Sequence, residues 1–248
     1  MLKKNPQYLT KSDIEQIAQQ VVSAYQKLPE AQEGPDNVIR PAILIRDLLG
    51  LSIGYHTLSL NGSILGLTSC GEVWVTVYDN PGRPEYCHLD GRTLLIDKGL
   101  TVEGANIGRR HFTLVHEACH QIYRMLFPHA YAGDIAERRV HYCTLRRTVA
   151  RGDWEEWRTD ALASAILMPL GLVKNNMRAF GFGDGLRLLN RIFAPDEYDR
   201  FCKMANHMGV SKQALAIRLK QLGLLERDCL QDPFVLVDVF PDDGEIPG

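Results

Sequence analysis

"RRHFTLVHEACHQIYRML", residues 109–126, sets His116, Glu117 and His120 inside a segment that is otherwise largely apolar. On a helix of 3.6 residues per turn, positions i and i+4 share a face about one turn apart. That is the separation at which two imidazole nitrogens can hold one tetrahedral metal ion. Glu117 lies about 100° further round the helix, beside such an ion rather than bound to it, where it can take a proton from a water. Leu114, Ala118, Ile122 and Met125 make the opposite, apolar face. The spacing predicts one long helix, roughly 106–127, stopped by Pro128, with a chemical face and a core face. The plainer alternative is a solvated helix that carries H-E-x-x-H by chance, and the strong amphipathicity argues against it.

A catalytic zinc takes three protein ligands and leaves one position open. The third ligand must come from elsewhere, and the segment "DWEEWRTDALASAILMP" (153–169) offers Glu155, Glu156 and Asp160. It reads as a helix from about Asp153 to Leu167, ended by Pro169. Glu156 and Asp160 are i and i+4 and share a face, while Ala161, Leu162, Ala165 and Ile166 make a small apolar face suited to close packing. A carboxylate here can ligate the metal, and the acid one turn on can hold the second nitrogen of a ligating histidine. The same acids could also be solvated charges favouring the helix N-terminus. These residues alone leave both readings open.

Working outward, residues 12–28 read as an amphipathic helix with Ser12 as cap and Glu15 completing a capping box. Ile14, Ile17, Val21 and Val22 form its stripe. Gly34 and Pro35 mark a loop, and 42–50 reads as a short helix ending at Gly50. A Gly-rich, β-prone region follows. Strands are expected at 72–78 and 92–97, separated by the turn-rich "DNPGRPEYCHLDG" (79–91). Residues 129–153 are polar and Arg-rich without clear period. Short helices are expected over 186–225. Within them "ANHMGVSKQALAIRLKQLG" (205–223) scans as helix-turn-helix: Gly209 makes the turn, Ser211 caps the second helix, and Leu215, Leu219 and Leu222 face inward. Residues 186–227 hold eight Lys/Arg and four Asp/Glu, a balance of +4 and a weak basic patch for DNA. The tail from 228 is acidic. The chain divides along its length into an N-terminal helix (1–34), a metal-binding domain (35–180), the helical segment (181–227) and the acidic tail (228–248).

The composition is that of an ordinary globular protein, 45% hydrophobic and 23% charged, with a formal net charge of -2 that gives no global attraction to nucleic acid or anionic membrane. No secretory leader is read at the N-terminus, and the longest apolar run, 161–173, is too short for a membrane span. A cytoplasmic protein is expected. Cys70, Cys87, Cys119, Cys143, Cys202 and Cys229 are scattered, with no C-x-x-C pair, which excludes a zinc ribbon or thioredoxin-like motif and suggests free thiols. Cys119 reads as a small buried residue, and His111 and His129 as packing or surface.

"RRHFTLVHEACH" (109–120) and "ASAILMP" (163–169) together resemble the two helix blocks of the ImmA/IrrE family of zinc metallopeptidases. "TLLID" sits where that family has a strand leading into the catalytic helix, and "GVSKQALAIRLKQLGLL" (209–225) is similar to its downstream helical segment. The resemblance runs from about residue 40 to about 225. It implies zinc, with Glu156 as the third ligand beside His116 and His120, Glu117 as the catalytic base, and a regulatory endopeptidase that cleaves a repressor, often a helix-turn-helix protein. Cys119 stands where the family usually has Gly, Arg158 where an acidic or small residue is common, and the stretch between His120 and Glu156 is long and basic. The expected fold is α+β: a zincin-like domain with a small, mostly antiparallel sheet, helices on one side, the metal between two helices, and Asp160 behind a ligating histidine. His129, Tyr131, His141 or Tyr142 could polarise a scissile carbonyl, and an edge strand from 72–97 could align the substrate. The rival class is a zinc-bearing regulatory or DNA-binding protein with little or no protease activity.

Overall fold

The computed structural model describes residues 6–80, 83–145 and 154–235. The first helix, α1 (Lys11–Tyr25), starts two residues earlier than Ser12 predicts: Thr10 is its cap. The Thr10 hydroxyl accepts the Asp13 N–H at 3.2 Å and the Asp13 carboxylate accepts the Thr10 N–H at 2.9 Å, a reciprocal capping box. Ile14, Ile17, Ala18 and Val22 are its buried stripe. Two short helices follow, α2 (Pro29–Gln32) and α3 (Pro41–Ile43), the latter running on into a π-helical turn over Leu44–Leu48. Gly50 then turns the chain at φ +63°, a conformation that favours glycine.

The β region holds five strands: β1 (Ser52–His56), β2 (Ile64–Ser69), β3 (Glu72–Asn80), β4 (Arg83–Asp90) and β5 (Thr93–Asp97). Most of the stretch read as turn-rich is therefore a strand. β4 pairs antiparallel with β3, Val75 opposite Cys87 and Asn80 opposite Arg83. Its side chains are mostly exposed, so it carries no apolar alternation to betray it. Beyond β5 come α4 (Ile107–Leu126), capped by the Asn106 side chain, then α5 (Ala132–Ala136) and β6 (Val140–Thr144), both inside the Arg-rich stretch. Next is α6 (Trp154–Leu167); Asp153, where its start was expected, lies outside the described residues. The remainder is α7 (Leu170–Ala179), β7 (Leu186–Leu189), α8 (Pro195–His207), α9 (Lys212–Gln221) and β8 (Leu225–Asp228). Two strands thus accompany the helices expected over 186–225, as a parallel pair. Most of the acidic tail lies outside the described residues.

The main sheet has the order β1-β5-β2-β6; only β1 and β5 run parallel. The fold is thus α+β with a small, mostly antiparallel sheet. β5 shows how the layers form. Alternate side chains of a strand point to opposite faces. Leu94 and Ile96 meet Leu114 and Ala118 of α4, while Leu95 meets Leu67, Val75 and Leu89 beneath the β3–β4 hairpin. On its other side α4 gives Val115, Cys119, Ile122 and Tyr123 to a helical core shared with α1, α6, α8 and α9. So α4 is not half-solvated: every residue from Thr113 to Tyr123 is buried, whereas Met125, expected on the core face, is 46% exposed.

Three polar ties fix these layers. Gln121 donates to the Thr68 hydroxyl at 2.6 Å and the Ser69 carbonyl at 3.0 Å, binding α4 to β2. Arg218 of α9 is buried, donates to the Met168 carbonyl at 2.9 Å and engages both oxygens of Glu15 on α1. Asp79 accepts from the Thr57 N–H at 2.8 Å and pairs with His56 at 2.6 Å and Lys98 at 2.9 Å, holding the hairpin on β1. No described helix is long and apolar enough to cross a membrane.

Candidate metal centre

Burying an ionisable group costs free energy unless it is partnered. Along α4, His116 and Glu117 are fully buried and His120 is 5% exposed, so the fold must answer for three such groups in five residues. The answer comes from α6, which packs against the His face. His116 Nε2 lies 3.2 Å from Glu156 Oε2, His120 Nε2 lies 3.3 Å from Glu156 Oε1, and the two Nε2 atoms are 3.3 Å apart. Ligand atoms at about 2.0–2.1 Å from a tetrahedral zinc sit about 3.3 Å from one another. The contacts have that spacing, each imidazole facing one oxygen of the same carboxylate, and the donors, two imidazoles and one carboxylate, are a set that could hold a metal ion. Which metal it prefers is a separate matter.

Asp160 stands where the helical spacing put it, one turn beyond Glu156. Its Oδ1 lies 3.0 Å from His116 Nδ1. A carboxylate there accepts the Nδ1–H and leaves the Nε2 lone pair facing the other donors. Glu156 is affected in two ways: burial raises its pKa, but its contacts with the His116 and His120 rings lower it further, to well below the ordinary carboxylate range. It is therefore ionised, the form that ligates. The Glu156 and Asp160 side chains are 26% and 33% exposed, so the centre reaches solvent on the α6 side.

Glu117 points the other way round α4, under β2. Its carboxylate groups within 4.8 Å with a ring nitrogen of His116 and the Cys143 thiol of β6. Gly66 of β2 makes the room: a Cβ there would stand 3.0 Å from Glu117 Oε1 and 2.7 Å from the Thr113 methyl.

The structure also discriminates among the other residues singled out. Cys119 is fully buried in the helical core, and all six thiols are free. His111 contacts the Gly209 carbonyl at 3.0 Å, a packing role between α4 and the α8–α9 turn. His129 is exposed, Tyr131 is buried in the helical core and Tyr142 is 46% exposed. Of those four, only His141 meets the centre. Its ring stacks on His120 at 4.3 Å, and burial, with the nearby His120 and Arg139, pushes its pKa down to about 3. Period-2 alternation in "VHYCT" (140–144) would have placed His141 and Cys143 on one inward face. Glu155 was considered only as an alternative to Glu156. Its Oε1 lies 3.9 Å from Nδ1 of both His120 and His141, and its pKa is raised by burial. Nothing in its local spacing marks that position.

Within 72–97, β5 is interior, flanked by β1 and β2, while β3 and β4 pair only with each other among the described residues, so each presents an edge. The edge beside the centre is β6. A cleft of about 1830 Å³ runs between α1, the start of α4, α6 and α9, and touches the centre at Thr113, Cys143 and Asp160; the two histidine rings do not line it. No protein-family model and no curated protein matches the chain.

Proposed function

We propose that the chain is a zinc-dependent endopeptidase that hydrolyses a peptide bond in a regulatory protein, by resemblance a transcriptional repressor of the helix-turn-helix class. The observation that carries this reading is the cluster of His116, His120 and Glu156, whose Nε2 atoms lie 3.3 Å apart and 3.2–3.3 Å from the two oxygens of one carboxylate, with the Glu117 carboxylate within 4.8 Å of a His116 ring nitrogen. Two nitrogens and one oxygen, with a fourth position left open, suit catalytic zinc. When bound, zinc supplies Lewis acidity, polarising a carbonyl and acidifying a water. The remaining work falls to the side chains. Glu117 takes the proton of the attacking water as its oxygen adds to the carbonyl carbon. It then gives that proton to the amine nitrogen as the C–N bond breaks. Asp160 holds the His116 ring by Nδ1–H, so that Nε2 keeps its aim. The open edge of β6 can align an extended substrate backbone by strand addition. The cleft beside it is larger than the roughly 300–1,000 Å³ of small-molecule sites, which favours a polypeptide.

The DNA-binding alternative draws less support. A recognition helix reads bases with its N-terminal residues. The start of α9 is packed on α4 instead: a Cβ at Gly108 would collide with the backbone of Val210 and Ser211. Arg218 is spent on Glu15 and Met168.

The test expresses the wild type and Glu117→Gln in parallel and maps new protein N-termini in each culture. New N-termini within a repressor-class protein should appear with the wild type and be absent with the variant, at equal zinc content. Identical sets of N-termini would overturn the proposal. DNA retardation that survives Glu117→Gln would favour the rival.

A further inference from the structure

We propose a second transition-metal site, formed by Cys70 at the end of β2, Asp134 on α5 and His141 on β6. It does not depend on the peptidase reading. One ligand atom from each of the three residues lies within 4.8 Å of the other two. Cys70 Sγ is 3.5 Å from His141 Nε2. A thiolate at about 2.3 Å and an imidazole at about 2.0–2.1 Å on one tetrahedral zinc are about 3.5–3.6 Å apart. Thiolate, imidazole and carboxylate are a donor set that selects zinc-like ions over magnesium or calcium.

The surroundings support ligation. Cys70 and His141 are buried, while the Asp134 side chain, 23% exposed, gives a path for entry. The Cys70 backbone is held on both sides: its N–H donates to the Arg139 carbonyl at 2.9 Å, and its carbonyl accepts from Arg124 at 2.7 Å. Glu155 Oε1 is buried, has no hydrogen-bond partner among the described residues, and lies 3.9 Å from His141 Nδ1, which places a negative charge on the far side of the ring from Cys70. Arg139 pairs with Asp134 at 3.4 Å and Glu155 at 3.8 Å. A carboxylate has two oxygens, so Asp134 can keep that guanidinium and still offer a ligand atom. Cys87, 3.9 Å from His56, belongs to no such group of three among the described residues, and Cys143 groups with His116 and Glu117 of the first centre. On α6, Glu156 and Asp160 face the first centre, while Glu155 stands between the two, equally far from His120 and His141.

Binding replaces the thiol proton with the ion. The test exploits the Cys70 thiolate and is run with Cys143→Ser as background, which removes the thiol that groups with His116 and Glu117. Full-length protein stripped with chelator is titrated with cobalt(II) and followed by absorption. The background protein should develop a thiolate-to-cobalt charge-transfer band in the near ultraviolet, saturating at one equivalent for that band. His116→Ala should keep the band, and Cys70→Ser should lose it while retaining the first centre. Zinc content should fall from two ions per chain to one in Cys70→Ser. If Cys70→Ser does not fold, Asp134→Asn takes its place and should weaken the titrating affinity for the band by at least tenfold. Folded background protein that binds cobalt without any thiolate band, or a band that survives Cys70→Ser in full, would overturn the second site and leave the first untouched.

Discussion

Two polar clusters meet at His120, and they are built in opposite ways. The first takes His116, Glu117 and His120 from five consecutive residues of α4, and Glu156 and Asp160 from five of α6. Helix geometry alone puts each set on its face. The second gathers Cys70, Asp134, His141 and Glu155 from four elements. Only the register of β6 on β2, with His141 opposite Thr68, brings the thiol to the ring. A site whose members lie within one helical turn is written into the local chain. One whose members are tens of residues apart exists only after the sheet has closed.

That contrast can be broken by mutation. The largest effect is expected from His116→Ala or His120→Ala. Either removes a ligand from the first centre and should abolish its zinc after dialysis, with hydrolysis lost alongside. Retention of full zinc by both variants, measured by metal analysis, would place the metal elsewhere. Next is Glu117→Gln, which should leave zinc content unchanged and lower turnover by about 10²–10⁴-fold, the usual contribution of a positioned proton acceptor. Asp160→Ala should cost about 10- to 100-fold in zinc affinity or activity, because an outer carboxylate orients its histidine. Asp160→Asn, whose amide oxygen still accepts a hydrogen bond, should fall between Ala and wild type in a competition titration; equal affinity in all three would remove Asp160 from the centre.

Two smaller effects lie in the sheet. Gly66→Ala sets a methyl against Thr113 and Glu117, overpacking that should lower stability by about 1–3 kcal/mol and displace the base. Thermal melts and turnover on one preparation would show both, and unchanged values in each would mean that Glu117 is not pressed against β2. The smallest effect concerns Asp79, far from either cluster. Burial raises its pKa, but Lys98, the Thr57 N–H and His56 together bring it down to about 2 from 3.8. A depressed carboxylate stabilises the fold above its unfolded pKa and loses that contribution as pH falls through the folded one. The wild type should therefore be more stable than Asp79→Asn at pH 7, with the difference shrinking between pH 3.8 and about 2. A constant difference across that range would exclude the ionised contact.

Legibility followed the range of the interactions. The α4 boundaries, the C-terminal end of α6, the His116–His120 pair and the Asp160 placement follow from period and spacing, and the structure puts them together. Gly209 and Ser211 mark the α8–α9 turn for the same local reason: a positive φ and a hydroxyl that accepts the Ala214 N–H. What was missed is non-local or two-sided. β4 is exposed on most positions, so its Pro and Gly neighbours read as a turn. The cap of α1 fell on Thr10 because two hydroxyl residues two apart are equally good acceptors in sequence. His141 stood among four candidates because nothing local ties it to His120.

The most direct test of the central claim is X-ray absorption at the zinc edge of the Cys70→Ser protein, which leaves the first centre alone. The expected shell holds only nitrogen and oxygen, with scattering from two imidazoles. A shell that contains sulfur, or that shows no imidazole scattering, would contradict a centre made by His116, His120 and Glu156.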